Sequence, residues 1–198
     1  MRSKGVRLSS RAIAFAVMMS ALGNILSAIS IGLTKVGQIG LDLSHVATFI
    51  AAIYGGPFWG FLIGLIGGFV PGIYFGPMGW LAWLGLIALP IGKSLTGFTA
   101  GVLYRIFNID RRDHPSLLTI PIVLVGFTPE CLFTAFFFLV PVPYFLGWSL
   151  EFSAGLLIGI LVKAWIEIAF MSAFMGALKG NEGFSTFMAN FLAMRRAQ

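Results

Sequence analysis

The feature that most constrains this chain is the length of its apolar runs, about 15 to 28 residues each, interrupted by short islands of charge. A helix rising 1.5 Å per residue needs about 20 such residues to cross a hydrocarbon core about 30 Å thick. The runs are continuous rather than alternating, so helices do the spanning and not a β-barrel. Composition agrees: 58% of residues are hydrophobic and 10% charged, against about 25% charged in an average soluble domain. The fold class is therefore all-α integral membrane protein. Six spans are predicted, at about 9–31, 42–55, 58–76, 80–105, 117–139 and 151–178, with turns at Gly37–Gly40, Gly55-Gly56-Pro57, Gly76-Pro77 and Pro141-Val142-Pro143. What lies outside the spans is too short for a soluble domain, so residues 1–198 read as one membrane domain.

Lysine and arginine placement orients the chain. With the N-terminus inside, Arg2, Lys4, Arg7, Arg11, Arg105, Arg111, Arg112, Lys179, Arg195 and Arg196 fall on the cytoplasmic side and Lys35 alone on the other. The positive-inside rule thus places both termini in the cytoplasm, as an even number of spans requires. The apolar run from Ala12 to Leu33 exceeds the core of a cleaved signal and is expected to remain as a span. The net charge of +6 is explained by these flanks, so no nucleic-acid partner is expected. Cys131 is the lone cysteine, which excludes an intramolecular disulfide.

Within the spans, small residues form two stripes. Gly60, Gly64, Gly68, Gly72 and Gly76 recur every four residues and predict close approach of another helix, with Pro71 able to kink the span. Ala12, Ala16, Ser20 and Asn24 form a second stripe, suited to internal packing or to a partner's helix.

Four ionisable residues, Lys93, Glu130, Lys163 and Glu167, fall near mid-membrane. They form either two structural ion pairs, Lys163 with Glu167 and Lys93 with Glu130, or a polar pocket, because intramembrane charges usually face a cavity. Gly155 and Gly159 precede Lys163 and Glu167 at four-residue intervals, which places the charges near a protein-facing side, with some drift around the helix. Gly92-Lys93-Ser94 is not a phosphate-binding loop, since Ile87 stands where the first glycine is required. Most aromatics read as interfacial belt, while Trp83 and Trp165 lie deeper, where a planar ligand could stack. Asp42, Ser44 and His45 open the second span; a helix cap is the simplest role for Ser44 or Asp42, and no metal-site spacing is present.

The stripe opening the first helix, the segment GLDLSHVATFIAAIYGGPFWGFLIG and IGKSLTGFTAGVLYR in the fourth span together resemble the substrate-binding S components of energy-coupling factor (ECF) transporters, most closely the riboflavin-type and related vitamin-binding members. The resemblance covers roughly residues 9–178. It implies a subunit without enzymatic activity or cofactor that captures a vitamin-class molecule from outside. The partners implied are membrane lipid, a transmembrane coupling protein and two cytoplasmic ATPases. Ala12 and Ala16 match the family's Ala-x-x-x-Ala docking motif, which makes them and Ser20, next on the stripe, the partner-docking candidates; Lys163 resembles a ligand-contacting lysine, although the asparagine expected shortly before it is absent. The substrate-binding candidates are Asn24, Gln38, Asp42, Trp83, Lys93, Glu130, Trp148 and Lys163. A self-contained ion- or proton-coupled carrier using Glu130 and Glu167 is the alternative.

Overall fold

The computed structural model describes residues 10–34 and 42–193, and these are helical throughout apart from short turns. The order is α1 (Ser10–Thr34), α2 (His45–Ile50) running on through a π-helical turn (Ala51–Gly55), α3 (Pro57–Gly67), α4 (Phe69–Phe75), α5 (Ala82–Ile106), a 3-10 turn (Ile109–Arg111), α6 (Pro115–Gly126), α7 (Thr128–Leu139), α8 (Pro141–Leu146), α9 (Leu150–Gly180) and α10 (Glu182–Ala193). Gln38, Lys35, the Gly37–Gly40 turn and the basic residues Arg2, Lys4, Arg7, Arg195 and Arg196 lie outside the described residues.

Among the described residues, five helical segments are long and apolar enough to cross a membrane: Ser10–Gly32, Pro57–Phe75, Ala82–Arg111, Pro115–Leu146 and Leu150–Gly180. The segment expected as a second span is instead the shorter helix His45–Gly55. At 1.5 Å per residue it covers about 16 Å, half a hydrocarbon core. Its two ends fix its depth. Ser44, just before it, bonds Lys93 in the middle of α5, and the Gly55 carbonyl at its other end accepts from Arg105 Nη2 at 3.0 Å. The step from Lys93 to Arg105 along α5 is about 18 Å, so α2 enters at mid-depth and descends to the Arg105 end. Gly56 then turns the chain with φ +96°, and its missing side chain leaves room for the Arg105 guanidinium.

Two long segments are broken. Pro71 has no N–H to offer the Gly67 carbonyl, and α3 ends at Gly67. The segment expected over 117–139 divides at Phe127 into α6 and α7, with Pro129 in the first turn of α7. The glycine ladder faces α5: a Cβ at Gly60 would run into the Gly97 carbonyl, one at Gly64 into the Lys93 carbonyl, and one at Gly68 into the Pro90 backbone. These helices meet backbone to backbone, and dispersion contacts at that separation hold them. Gly155 and Gly159 behave differently from expectation: both are exposed, with no atom within 4 Å of an added Cβ. Each four-residue step turns about 40° around a helix of 3.6 residues per turn, so three steps carry the stripe from the outer surface at Gly155 to the interior at Glu167. Gly97→Val is therefore expected to cost about 3 kcal/mol or more, at or beyond the upper end of overpacking penalties, whereas Gly159→Ala leaves stability unchanged or slightly raised. Thermal unfolding of the two variants in one detergent checks both.

The Arg105 end is closed by polar contacts. Asp110 Oδ1 accepts from Tyr104 Oη and from Lys179 Nζ, both at 2.7 Å, and Tyr54 Oη lies 3.0 Å from Ser185 Oγ. These contacts tie α10 and the end of α9 beneath the turn at Gly55, with Phe184 and Met188 of α10 packed against the main buried cluster.

Candidate functional site

The site begins where the chain enters α2. Residues 42–44 form a tight turn in which Asp42 Oδ1 accepts from the Ser44 backbone N–H at 3.0 Å. Three helices hold this turn. Lys93 of α5 donates to Asp42 Oδ2 at 2.6 Å and to Ser44 Oγ; Glu167 of α9 accepts the Asp42 backbone N–H at 2.8 Å; Ser30 of α1 accepts the Leu43 backbone N–H at 3.1 Å. One residue on, His45 Nε2 lies 3.0 Å from Glu130 Oε2 on α7, which also accepts from Thr96 Oγ1. Glycine at position 92 makes the approach of Glu130 to α5 easy, since a Cβ there would stand 3.2 Å from Glu130 Cγ. The His45 ring packs edge-on against Phe127, with centroids 6.3 Å apart.

Lys163 completes the cluster on α9. Its Nζ stands 3.5 Å from Glu167 Oε1, the same oxygen that accepts Asp42 N–H. The two lysines differ in exposure: the Lys93 side chain is 3% exposed and that of Lys163 38%. Lys93 directs its donors to the turn, whereas Lys163 is more open and lines the space above the cluster.

That space is a cavity of about 230 Å³, floored by this polar cluster and walled by Phe75, Trp80, Phe133, Phe137 and Phe138. It occupies the half of the molecule opposite Arg105, with half-exposed Trp80 at its rim stacked on Trp148 at 5.6 Å. An apolar enclosure with a few convergent polar groups is the usual make-up of a small-molecule site. Among the described residues, no three His, Cys, Asp or Glu side chains come together as metal ligands.

The family model for the ECF transporter substrate-specific component matches residues 11–189 of the chain, the whole membrane region. The chain belongs to this family. No curated protein and no solved structure matches it.

In this S component the cavity gathers Asp42, Lys93, Glu130 and Lys163 from among the sequence candidates, and it adds His45, Glu167, Ser27, Ser30 and Trp80. Other candidates stand elsewhere. Asn24 joins helices, donating to the Ser20 carbonyl at 2.9 Å and the Ile66 carbonyl at 3.3 Å while accepting from the Val70 N–H at 3.3 Å, across the break between α3 and α4. Trp83 is half-exposed on the outer surface against Phe145, Trp165 lies edge-on to Phe127, and Trp148 backs Trp80 without lining the cavity. The expected Lys93–Glu130 pair is replaced by Lys93–Asp42 and His45–Glu130, because the short α2 inserts its turn between the two helices. The Lys163–Glu167 pair is present at 3.5 Å. Ala12, Ala16 and Ser20 are half-buried along the flank of α1, beside exposed Ile13 and Val17.

Proposed function

We propose that this S component captures a vitamin-class small molecule from outside the cell in the cavity beneath Trp80 and presents it for ATP-driven import. The observation that carries the reading is one enclosure, buried among membrane-crossing helices, that combines aromatic walls with a floor of ordered charges. Its volume of about 230 Å³ lies near the lower end of the range usual for small-molecule sites, about 300–1,000 Å³. The Arg105 end, where Arg11, Arg105, Arg111, Arg112 and Lys179 gather, is read as cytoplasmic by the positive-inside rule, which turns the cavity outward.

In this reading the chain itself hydrolyses nothing. A transmembrane coupling protein and two cytoplasmic ATPases supply the energy, with the coupling protein seated on the α1 flank at Ala12, Ala16 and Ser20 next to Ile13 and Val17. The test is mass spectrometry of small molecules released from protein purified from its native host, together with identification of co-purifying chains. A vitamin-class compound at one per chain and an ATPase-bearing module are expected. Uptake that proceeds without ATP and collapses with the proton gradient would instead favour a carrier. Ala12→Leu is expected to reduce recovery of the coupling protein on the order of tenfold, the effect of ~1.4 kcal/mol, with ligand affinity unchanged in equilibrium binding. Trp80→Ala is expected to weaken ligand binding by roughly fivefold or more, as loss of an aromatic contact worth ~1 kcal/mol implies, and to leave that recovery intact.

A further inference from the structure

A second cavity lies at the other end of the molecule and shares no lining residue with the first. It is a groove of about 550 Å³ between α5 and α6, lined by Leu103, Phe107, Ile109, Leu118, Ile122 and Val125, with Arg112 at its end. Ile109 and Ile122 form a buried floor, while Phe107, Leu118 and Val125 are exposed rims, so the groove opens sideways toward the bilayer. Its lining on α6 runs the seven residues from Leu118 to Val125, about 10 Å, room for the headgroup-proximal part of an acyl chain in one leaflet of a hydrocarbon core of about 30 Å.

The charged end is placed at headgroup height. Arg112 Nε donates to the Phe107 carbonyl at the C-terminus of α5 at 3.3 Å, and no other partner of its guanidinium is found among the described residues. Arg105 and Arg111 are exposed at the same end. Of the two carboxylates in this loop, Asp110 is engaged by Tyr104 and Lys179, which leaves Asp113 as the counterweight to Arg111 and Arg112. Basic residues beside a groove between transmembrane helices on the cytoplasmic side are suited to anionic lipid headgroups.

We propose that this groove is a binding site for one anionic glycerophospholipid of the inner leaflet, with an acyl chain along α6 and the phosphate on Arg112. The occupant follows from the groove's chemistry: an apolar trough that opens to the bilayer and ends in a guanidinium held only through its Nε among the described residues matches an acyl chain with a terminal phosphate. A free ion would use only the end, and a neutral lipid only the trough.

The test is native mass spectrometry of the delipidated full chain in non-ionic detergent, titrated with phosphatidylglycerol or with phosphatidylcholine of the same chain length. The wild type is expected to retain one phosphatidylglycerol at about five times the level of phosphatidylcholine, the preference one basic residue near the surface supplies. Arg112→Gln should bring the two lipids to parity, and Val125→Trp, which fills an already exposed stretch of groove, should reduce both. Arg11→Gln removes a charge at the same end away from the groove and should keep the preference. Equal retention of the two lipids by the wild type, an unchanged preference in Arg112→Gln, or displacement of the lipid by millimolar inorganic phosphate would each overturn the proposal.

Discussion

Lys93→Met is expected to lower the stability of the folded chain by about 3–5 kcal/mol, the cost of breaking a buried ion pair from one side. Lys93 is the cation at the centre of the turn that starts α2. Its ammonium bonds Asp42 at 2.6 Å and Ser44, and its side chain is 3% exposed. Methionine fits the space but strands the Asp42 carboxylate beside Glu130 and Glu167, with Lys163 as the remaining lysine in the cluster. For a chain of this length the loss corresponds to a fall of roughly 6–20 °C in unfolding temperature, readable by thermal unfolding in detergent. Adding Asp42→Asn removes the stranded charge, so the double variant should recover most of the loss. Asp42→Asn alone keeps the Ser44 contact and is expected to cost less than Lys93→Met. If Lys93→Met unfolds with the wild type, or if the two substitutions add without coupling, the pair does not hold the turn.

The same turn marks the limit of what the sequence revealed. The membrane class, the long helices, the inward face of the glycine ladder and the Lys163–Glu167 pair were all legible, because run length, four-residue spacing and i,i+4 geometry are local properties. The partner of Lys93 was not. Asp42 is 51 residues away, and nothing local shows that the helix after it starts at mid-depth instead of at the membrane surface. Hydropathy accepts 42–55 as a span, yet only the anchors at Lys93 and Arg105 reveal its depth. The aromatics were misplaced for a different reason. Trp83 is the deeper of two residues three apart, but depth says nothing about direction, and a helix apolar on every side gives no moment from which to choose a face. Trp80 lies ahead of α5, before a left-handed turn at Ala82 (φ +48°), and there it closes over the cavity while Trp83 points away. His45 carried a signal that could have been used: a histidine in a stretch bearing Asp42 and Ser44, in a protein with carboxylates at mid-membrane, needed a buried partner, and Glu130 was within the set.

Lys163 and Glu167 should separate into a ligand contact and a structural support when replaced one at a time. Lys163→Met is expected to weaken ligand binding roughly ten- to a hundredfold, since a hydrogen bond from a charged donor is worth ~1.5–3 kcal/mol. It should barely move the unfolding temperature, because the lysine is 38% exposed and its 3.5 Å pair contributes little beyond about 0–1 kcal/mol. Glu167 faces the opposite demand. Its carboxylate is the acceptor for the Asp42 backbone N–H, so Glu167→Ala leaves that donor without its partner at a cost of about 1–3 kcal/mol. Glu167→Gln retains an acceptor oxygen in the same place and should hold the turn, with unfolding close to the wild type. Equilibrium binding and thermal unfolding on the three variants give the result directly: affinity lost in Lys163→Met alone and stability lost in Glu167→Ala alone support the division. Equal losses of stability in Lys163→Met and Glu167→Ala, with affinity unchanged in both, would reduce Lys163 and Glu167 to a plain ion pair and move the ligand's polar contacts to Asp42, His45 and Glu130.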